Sequence, residues 1–184
     1  MTFTRAAISD IIIIEPNKPD SEPGLTVQPH IENPIPATFV QDENLRLARG
    51  MLRGLHAQRR QPLGKLVRVI EGEIFDVAVD IRRGSPTFGQ WAGTRVSAEN
   101  ARQSYIPPGF AHGFCVLSET AQVAYKYTDY YDPSDEIHLL WNDPEIGIAW
   151  PIACPQLSDP DRSALLLREL IRWVPVYACA LEVA

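Results

Sequence analysis

Two short stretches of this chain hold the residue types that proton chemistry needs. Met51-Leu52-Arg53-Gly54-Leu55-His56 carries a lone histidine, and Lys65-Leu66-Val67-Arg68-Val69 a lone lysine, each inside an apolar run of β character. Histidine exchanges a proton near neutral pH and lysine is a compact cation, so one cavity holding both suits proton abstraction next to a carbonyl. Period-two alternation groups Lys65, Val67 and Val69 on one face, and Ile74, Asp76, Ala78 and Asp80 on one face of the next run. A Lys65–Asp76 pair inside a barrel follows, unless both charges lie on a wet outer face. Arg53 and His56 are three residues apart, so an ideal strand points them to opposite faces, and a bulge at Gly54 would bring both inward. Taken alone, His56 also fits a structural histidine satisfied within the fold.

A second cluster, Pro107-Pro108-Gly109-Phe110-Ala111-His112-Gly113-Phe114, matches the PxGxxH turn of cupin barrels, where Pro and Gly shape a corner and the histidine points into the cavity. Metal-binding cupins complete that histidine with an HxH pair and a carboxylate. The corresponding triplet here is His56-Ala57-Gln58, and His30 and His138 lie outside both motifs, so no metal is expected. The stretch Ala124 to Tyr131 is rich in tyrosine, whose hydroxyls serve as proton donors or whose rings serve cross-strand packing. Asp161 has two readings as well. It can orient His56 and raise its basicity, or it can belong with Ser158 to an S-x-x-D helix cap.

Many short strands must position these groups. Among 184 residues, 16 Pro and 11 Gly punctuate apolar runs such as Val67–Val69, Ile74–Asp80, Val123–Thr128 and Leu139–Trp141, the pattern of an all-β barrel or sandwich in one domain. Turns are marked at Glu71-Gly72-Glu73 and Arg83-Gly84-Ser85-Pro86. Leucines at helical spacing predict one helix over Ala164–Trp173, opened by Ser158-Asp159-Pro160-Asp161. Residues 174–184 form an apolar tail that packs on the barrel or covers a partner subunit. Three scattered cysteines without CxxC spacing indicate neither a disulfide framework nor a zinc cage. A net charge of −6 argues against a nucleic-acid surface. Ile11–Ile14 is too short to span a membrane or to form a signal-peptide core, so a cytoplasmic protein is expected.

The segments LRGLH, GKLVRV, EGEIFDVAVDIRRGSPTFGQW, SAEN, IPPGFAHGF, YKYTDYYDP, LLWNDPEIGIAW and LSDPD, nearly collinear from Phe39 to Asp161, together resemble the dTDP-4-dehydrorhamnose 3,5-epimerase family of cupins. The resemblance implies a metal-free, cofactor-independent jelly-roll β-barrel that forms a homodimer, with residues 1–38 as N-terminal strands and dimer segment and 158–184 as C-terminal helix and tail. It implies inversion of C3 and C5 of dTDP-4-dehydro-6-deoxyglucose on the path to dTDP-rhamnose. By position, His56 is then similar to the family's base, Asp161 to its dyad partner, Tyr125 to the acid on the opposite face, and Lys65 to the cation at the enolate oxygen. Gln41, Asp42, Glu43, Arg53, His112, Tyr131 and Glu136 fall at substrate-binding positions.

Departures from the family pattern concern nucleotide and sugar contacts. Pro23 stands where a binding arginine is usual, Gln28 where a glutamate is, and Glu43 ends the triplet Gln41-Asp42-Glu43 in place of asparagine. Ala57 replaces the aromatic after the histidine, and Pro160 the lysine before Asp161. The alternatives are a C3-only epimerase of natural-product biosynthesis, a noncatalytic sugar-binding cupin, and a metal-dependent cupin oxygenase.

Overall fold

Alternating apolar residues and tight turns make this chain a stack of two antiparallel sheets. The computed structural model describes residues 2–16, 35 and 37–176. In chain order the strands are β1 (Thr2–Arg5), β2 (Ile12–Glu15), β3 (Gln41–Ala48), β4 (Leu52–Gln58), β5 (Lys65–Glu71), β6 (Glu73–Asp80), β7 (Trp91–Ser97), β8 (Gln103–Ile106), β9 (Phe110–Val116), β10 (Thr120–Tyr127) and β11 (Glu136–His138). One sheet has the order β1-β2-β8-β5-β10-β3 and the other β11-β4-β9-β6-β7. This is a cupin-type jelly roll, as the motifs imply.

The alternation read in β5 and β6 holds. Val67, Val69, Ile74 and Ala78 face the space between the sheets, where they pack with Val96, Phe114 and Val123. Phe75, Val77 and Val79 point the other way, into a second apolar layer with Leu55, Leu139, Leu167 and Leu170. The β5–β6 turn needs glycine. Gly72 has φ +80°, and a Cβ there would lie 2.1 Å from the Thr120 carbonyl oxygen.

Two expectations are corrected here. The helix over Ala164–Trp173 is instead two single turns, α1 (Asp159–Arg162) and α2 (Leu167–Leu170). Leu165 between them is extended and bridges Leu139: its N–H donates to the His138 carbonyl, and its own carbonyl accepts from Leu140 N–H. Tertiary pairing thus overrides leucine spacing. The strand expected at Leu139–Trp141 lies three residues earlier, at β11, because that is where pairing to β4 occurs, with Glu136, Ile137 and His138 opposite Gln58, Ala57 and His56. Of the tail, Val174 is buried and Val176 bridges Arg83, so residues 174–176 dock on the barrel. Residues 177–184, the Pro23 and Gln28 departures, His30 and most of the N-terminal segment lie outside the described residues.

Candidate active site

The site is built on a strand whose pairing is interrupted. Pairing of β4 with β9 shifts register between Arg53 and His56, at Gly54, whose φ is +124°. A Cβ on Gly54 would meet Gly113 Cα at 2.5 Å and the His112 carbonyl oxygen at 2.8 Å, so only glycine permits this approach of the two backbones. As a result Arg53 and His56 both line one cavity of about 580 Å³, open mouth included. Lys65 from β5, His112 from β9, Tyr125 and Tyr127 from β10, and Glu43 from β3 reach the same space, as do Tyr131 and Glu136.

His56 is buried between two carboxylates. Nε2 donates to Asp161 Oδ1 at 2.5 Å, and Nδ1 lies 3.3 Å from Glu136 Oε1. Asp161 makes both contacts at once. Its backbone N–H donates to Ser158 Oγ at 3.2 Å, so the cap of α1 aims the carboxylate at His56. Burial would raise the Asp161 pKa, but its histidine partners and Ser158 hold it well below the usual carboxylate range. Burial lowers the pKa of His56, and the hydrogen bond to Asp161 and the charge of Glu136 oppose that shift. A neutral imidazole beside an ionised carboxylate is the ground state that a general base requires.

On the facing sheet Lys65 Nζ donates to the His56 carbonyl oxygen at 3.3 Å. Burial brings its pKa down to about 8, with Glu136, Asp76 and Glu43 resisting and Arg53 adding to the fall. Lys65 and Asp76 do share the interior, yet they are not paired: Asp76 Oδ1 instead accepts from His112 Nε2 at 2.7 Å, and both partners are buried. Tyr125 stacks on Tyr127, with centroids 5.7 Å apart, and meets the His112 ring edge-on. Burial, then Tyr127 and Asp76, raises the Tyr125 pKa well above 10, so its phenol stays protonated. Burial, then Glu136, raises Tyr131 to about 12.

The remaining candidates divide by strand face. Glu43 accepts from the Tyr127 hydroxyl at 2.5 Å, and Gln41 Oε1 accepts from the Tyr131 backbone N–H at 2.9 Å. Asp42 falls between them, and alternation sends its side chain to the outer face, where it pairs with Lys126 at 3.0 Å. It is not part of the cavity. Gln58, at the position of the missing cupin histidine, braces a loop: its Oε1 accepts from Asp132 N–H, and its Nε2 donates to the Gln61 carbonyl.

His138 belongs to this constellation and the motif reading passed over it. Its ring lies 4.6 Å from that of His56, with Nε2 3.4 Å from Glu136 Oε2 and Nδ1 3.6 Å from Asp161 Oδ1. Asp161 raises its pKa above the ordinary histidine value, against a smaller effect of burial. The available signal was the alternation of Glu136, Ile137 and His138, which places both polar side chains on one face.

Comparison with known proteins accords with this geometry. A family model described as dTDP-4-dehydrorhamnose 3,5-epimerase matches residues 5–169. The dTDP-4-dehydrorhamnose 3,5-epimerase of Pseudomonas aeruginosa is 53% identical over 169 residues, covering 88% of this chain and 93% of that one. The dTDP-6-deoxy-D-glucose-3,5-epimerase of Legionella pneumophila, solved in complex with dTDP-4-keto-L-rhamnose, superposes with a TM-score of 0.91 at 46% identity over 97% of this chain and 99% of its own. A 4-keto-6-deoxy sugar epimerase from the novobiocin biosynthetic gene cluster of Streptomyces spheroides gives 0.90 at 33% identity, over 96% and 94%. With a family match that spans residues 5–169, and so every element that carries His56, Lys65, Tyr125 and Asp161, the chain belongs to the dTDP-4-dehydrorhamnose 3,5-epimerase family of isomerases.

Proposed function

We propose that the protein inverts C3 and C5 of dTDP-4-dehydro-6-deoxyglucose by proton transfer through an enolate. The observation that carries this reading is the placement of His56 and Tyr125 on opposing sheets across one cavity. His56, bonded to Asp161, comes from the five-stranded sheet, while Tyr125 and Lys65 come from the six-stranded one. With its Nε2–H committed to Asp161, His56 takes the substrate proton on Nδ1. The C–H electron pair moves toward the C4 ketone, and the oxygen that gains negative charge is met by the Lys65 ammonium. One such preorganised charge contact in a dry cavity contributes about 3 kcal/mol to the transition state. Tyr125 then delivers its phenolic proton from the other face, which inverts the carbon, and solvent returns one proton to Tyr125 and removes one from His56. The ketone is the electron sink, so the step needs no cofactor. Arg53, Gln41, Glu43, His112, Tyr131 and Glu136 are assigned to substrate contact, and Asp42 is left out of that set.

The test is incubation with dTDP-4-dehydro-6-deoxyglucose in deuterated water, following deuterium at each carbon by NMR and mass spectrometry. Uptake with inversion at C3 and C5 is expected. Uptake at C3 alone replaces the double epimerase with a C3-only one, and no uptake at either carbon overturns the proposal. The homodimer implied by the family resemblance belongs to the same proposal, and a solution mass of one chain, 20.6 kDa, overturns that part.

A further inference from the structure

His56, Asp161, His138 and Glu136 close a ring in which imidazoles and carboxylates alternate. Asp161 Oδ1 lies between His56 Nε2, at 2.5 Å, and His138 Nδ1, at 3.6 Å. Glu136 lies between the two opposite nitrogens, with Oε1 3.3 Å from His56 Nδ1 and Oε2 3.4 Å from His138 Nε2. His138 Nδ1 is buried and has no hydrogen-bond partner. We propose that His56, His138 and Asp161 also form a binding site for a divalent transition-metal ion of the zinc class, and that an ion bound there silences His56 as a base.

Four observations carry this site. Two imidazole nitrogens and one carboxylate oxygen lie within 4.8 Å of one another, the donor set of a three-ligand zinc centre that keeps a fourth position for water. Glu136 touches the distal nitrogen of both rings, which is how outer carboxylates orient metal-bound histidines. His138 Nδ1 aims at the shared oxygen without a hydrogen bond to satisfy it. A second groove, lined by Glu136, His138, Asp159, Pro160 and Leu165, reaches the cluster at His138 and shares Glu136 with the main cavity, which gives an ion a further way in. Tetrahedral coordination sets ligand atoms about 3.3 Å apart. The His138–Asp161 separation of 3.6 Å suits this, and the His56–Asp161 contact of 2.5 Å must widen to admit the ion. Binding forms two metal–nitrogen bonds and one metal–oxygen bond, and the proton on His56 Nε2 moves to Nδ1, where Glu136 Oε1 accepts it and no lone pair is left to take a substrate proton. This set is distinct from the cupin positions, since neither His112 nor Gln58 takes part.

The inhibitory half rests on the proposed role of His56, whereas binding itself does not, so the two are measured separately. Zn²⁺ is titrated calorimetrically into the full chain and into His138→Gln, and the Co²⁺ form of the unaltered protein is examined by absorption. One site is expected, weakened about 100-fold or more in the variant, with cobalt d–d bands and no thiolate charge-transfer band. Absence of binding, equal affinity in both proteins, or a thiolate band overturns the site. Zn²⁺ is expected to inhibit epimerisation reversibly, with activity restored by a chelator. Binding without inhibition overturns the link to catalysis, and with it His56 as the base, while the site itself stands.

Discussion

Replacing Lys65 with methionine should make the protein more stable and nearly inactive. In the proposed mechanism Lys65 serves the chemistry at a cost to the fold, because burial takes its pKa from 10.5 to about 8 against the attraction of Glu136, Asp76 and Glu43. That shift corresponds to ~3 kcal/mol of unfavourable free energy for keeping the ammonium charged in the native state. Methionine has nearly the same length and fills the same space without a charge. It also loses the hydrogen bond from Nζ to the His56 carbonyl, which offsets about 1 kcal/mol. The net gain at pH 7 is therefore about 2 kcal/mol, or roughly 4–8 °C in Tm for a domain of this size. Because the folded pKa lies below the unfolded one, the unfolded chain binds more protons between about 8 and 10.5. Wild-type stability consequently rises through that window relative to the variant, and the advantage of Lys65→Met disappears as pH approaches 10.5. Urea unfolding of both proteins across this range reads the gap directly, while kcat should fall about 100- to 1,000-fold with loss of the enolate contact. A variant no more stable than wild type at pH 7, or a gap independent of pH, refutes the account of Lys65 as a destabilising buried cation.

Asp161→Asn removes a charged partner from His56 Nε2, and loss of one charge-assisted hydrogen bond predicts a fall in kcat of about 10- to 150-fold with KM nearly unchanged. Since Asp161 raises the His56 pKa, the acidic limb of the pH–rate profile should also move to lower pH; a limb that stays in place argues against the dyad. Tyr125→Phe should keep proton abstraction and lose delivery from the opposite face, so that solvent deuterium enters recovered substrate while inversion slows about 100-fold or more. Inversion at the wild-type rate removes Tyr125 as the acid. Gly54→Ala places a Cβ 2.5 Å from Gly113 Cα at φ +124° and should destabilise the fold by about 3 kcal/mol or more, measured by urea unfolding. A loss under about 1 kcal/mol would mean that β4 and β9 can separate at little cost.

What the sequence made legible, and what it did not, follows from the range over which each residue is positioned. Lys65, Val67 and Val69 share a face because alternation within one strand is a local property, and the same rule separates Asp42 from Gln41 and Glu43. A face, however, does not say which strand lies opposite. His56 and Asp161 are 105 residues apart, and no periodicity in either segment records that α1 caps itself on Ser158 with its carboxylate turned toward β4. The leucines of residues 164–173 look helical until Leu165 is drawn into a bridge with Leu139, a pairing set by β11 against β4. His138 was silent for the same reason, because its strand is three residues long and gains its register from His56 itself. Regular alternation would have sent Arg53 and His56 to opposite faces of β4. Gly54, fitted against Gly113 where no side chain can stand, breaks the alternation and turns both into the cavity. The proposed chemistry thus depends on a place in the five-stranded sheet where local pattern yields to backbone contact, and that is why motif resemblance singled out His56 when periodicity alone left its direction open.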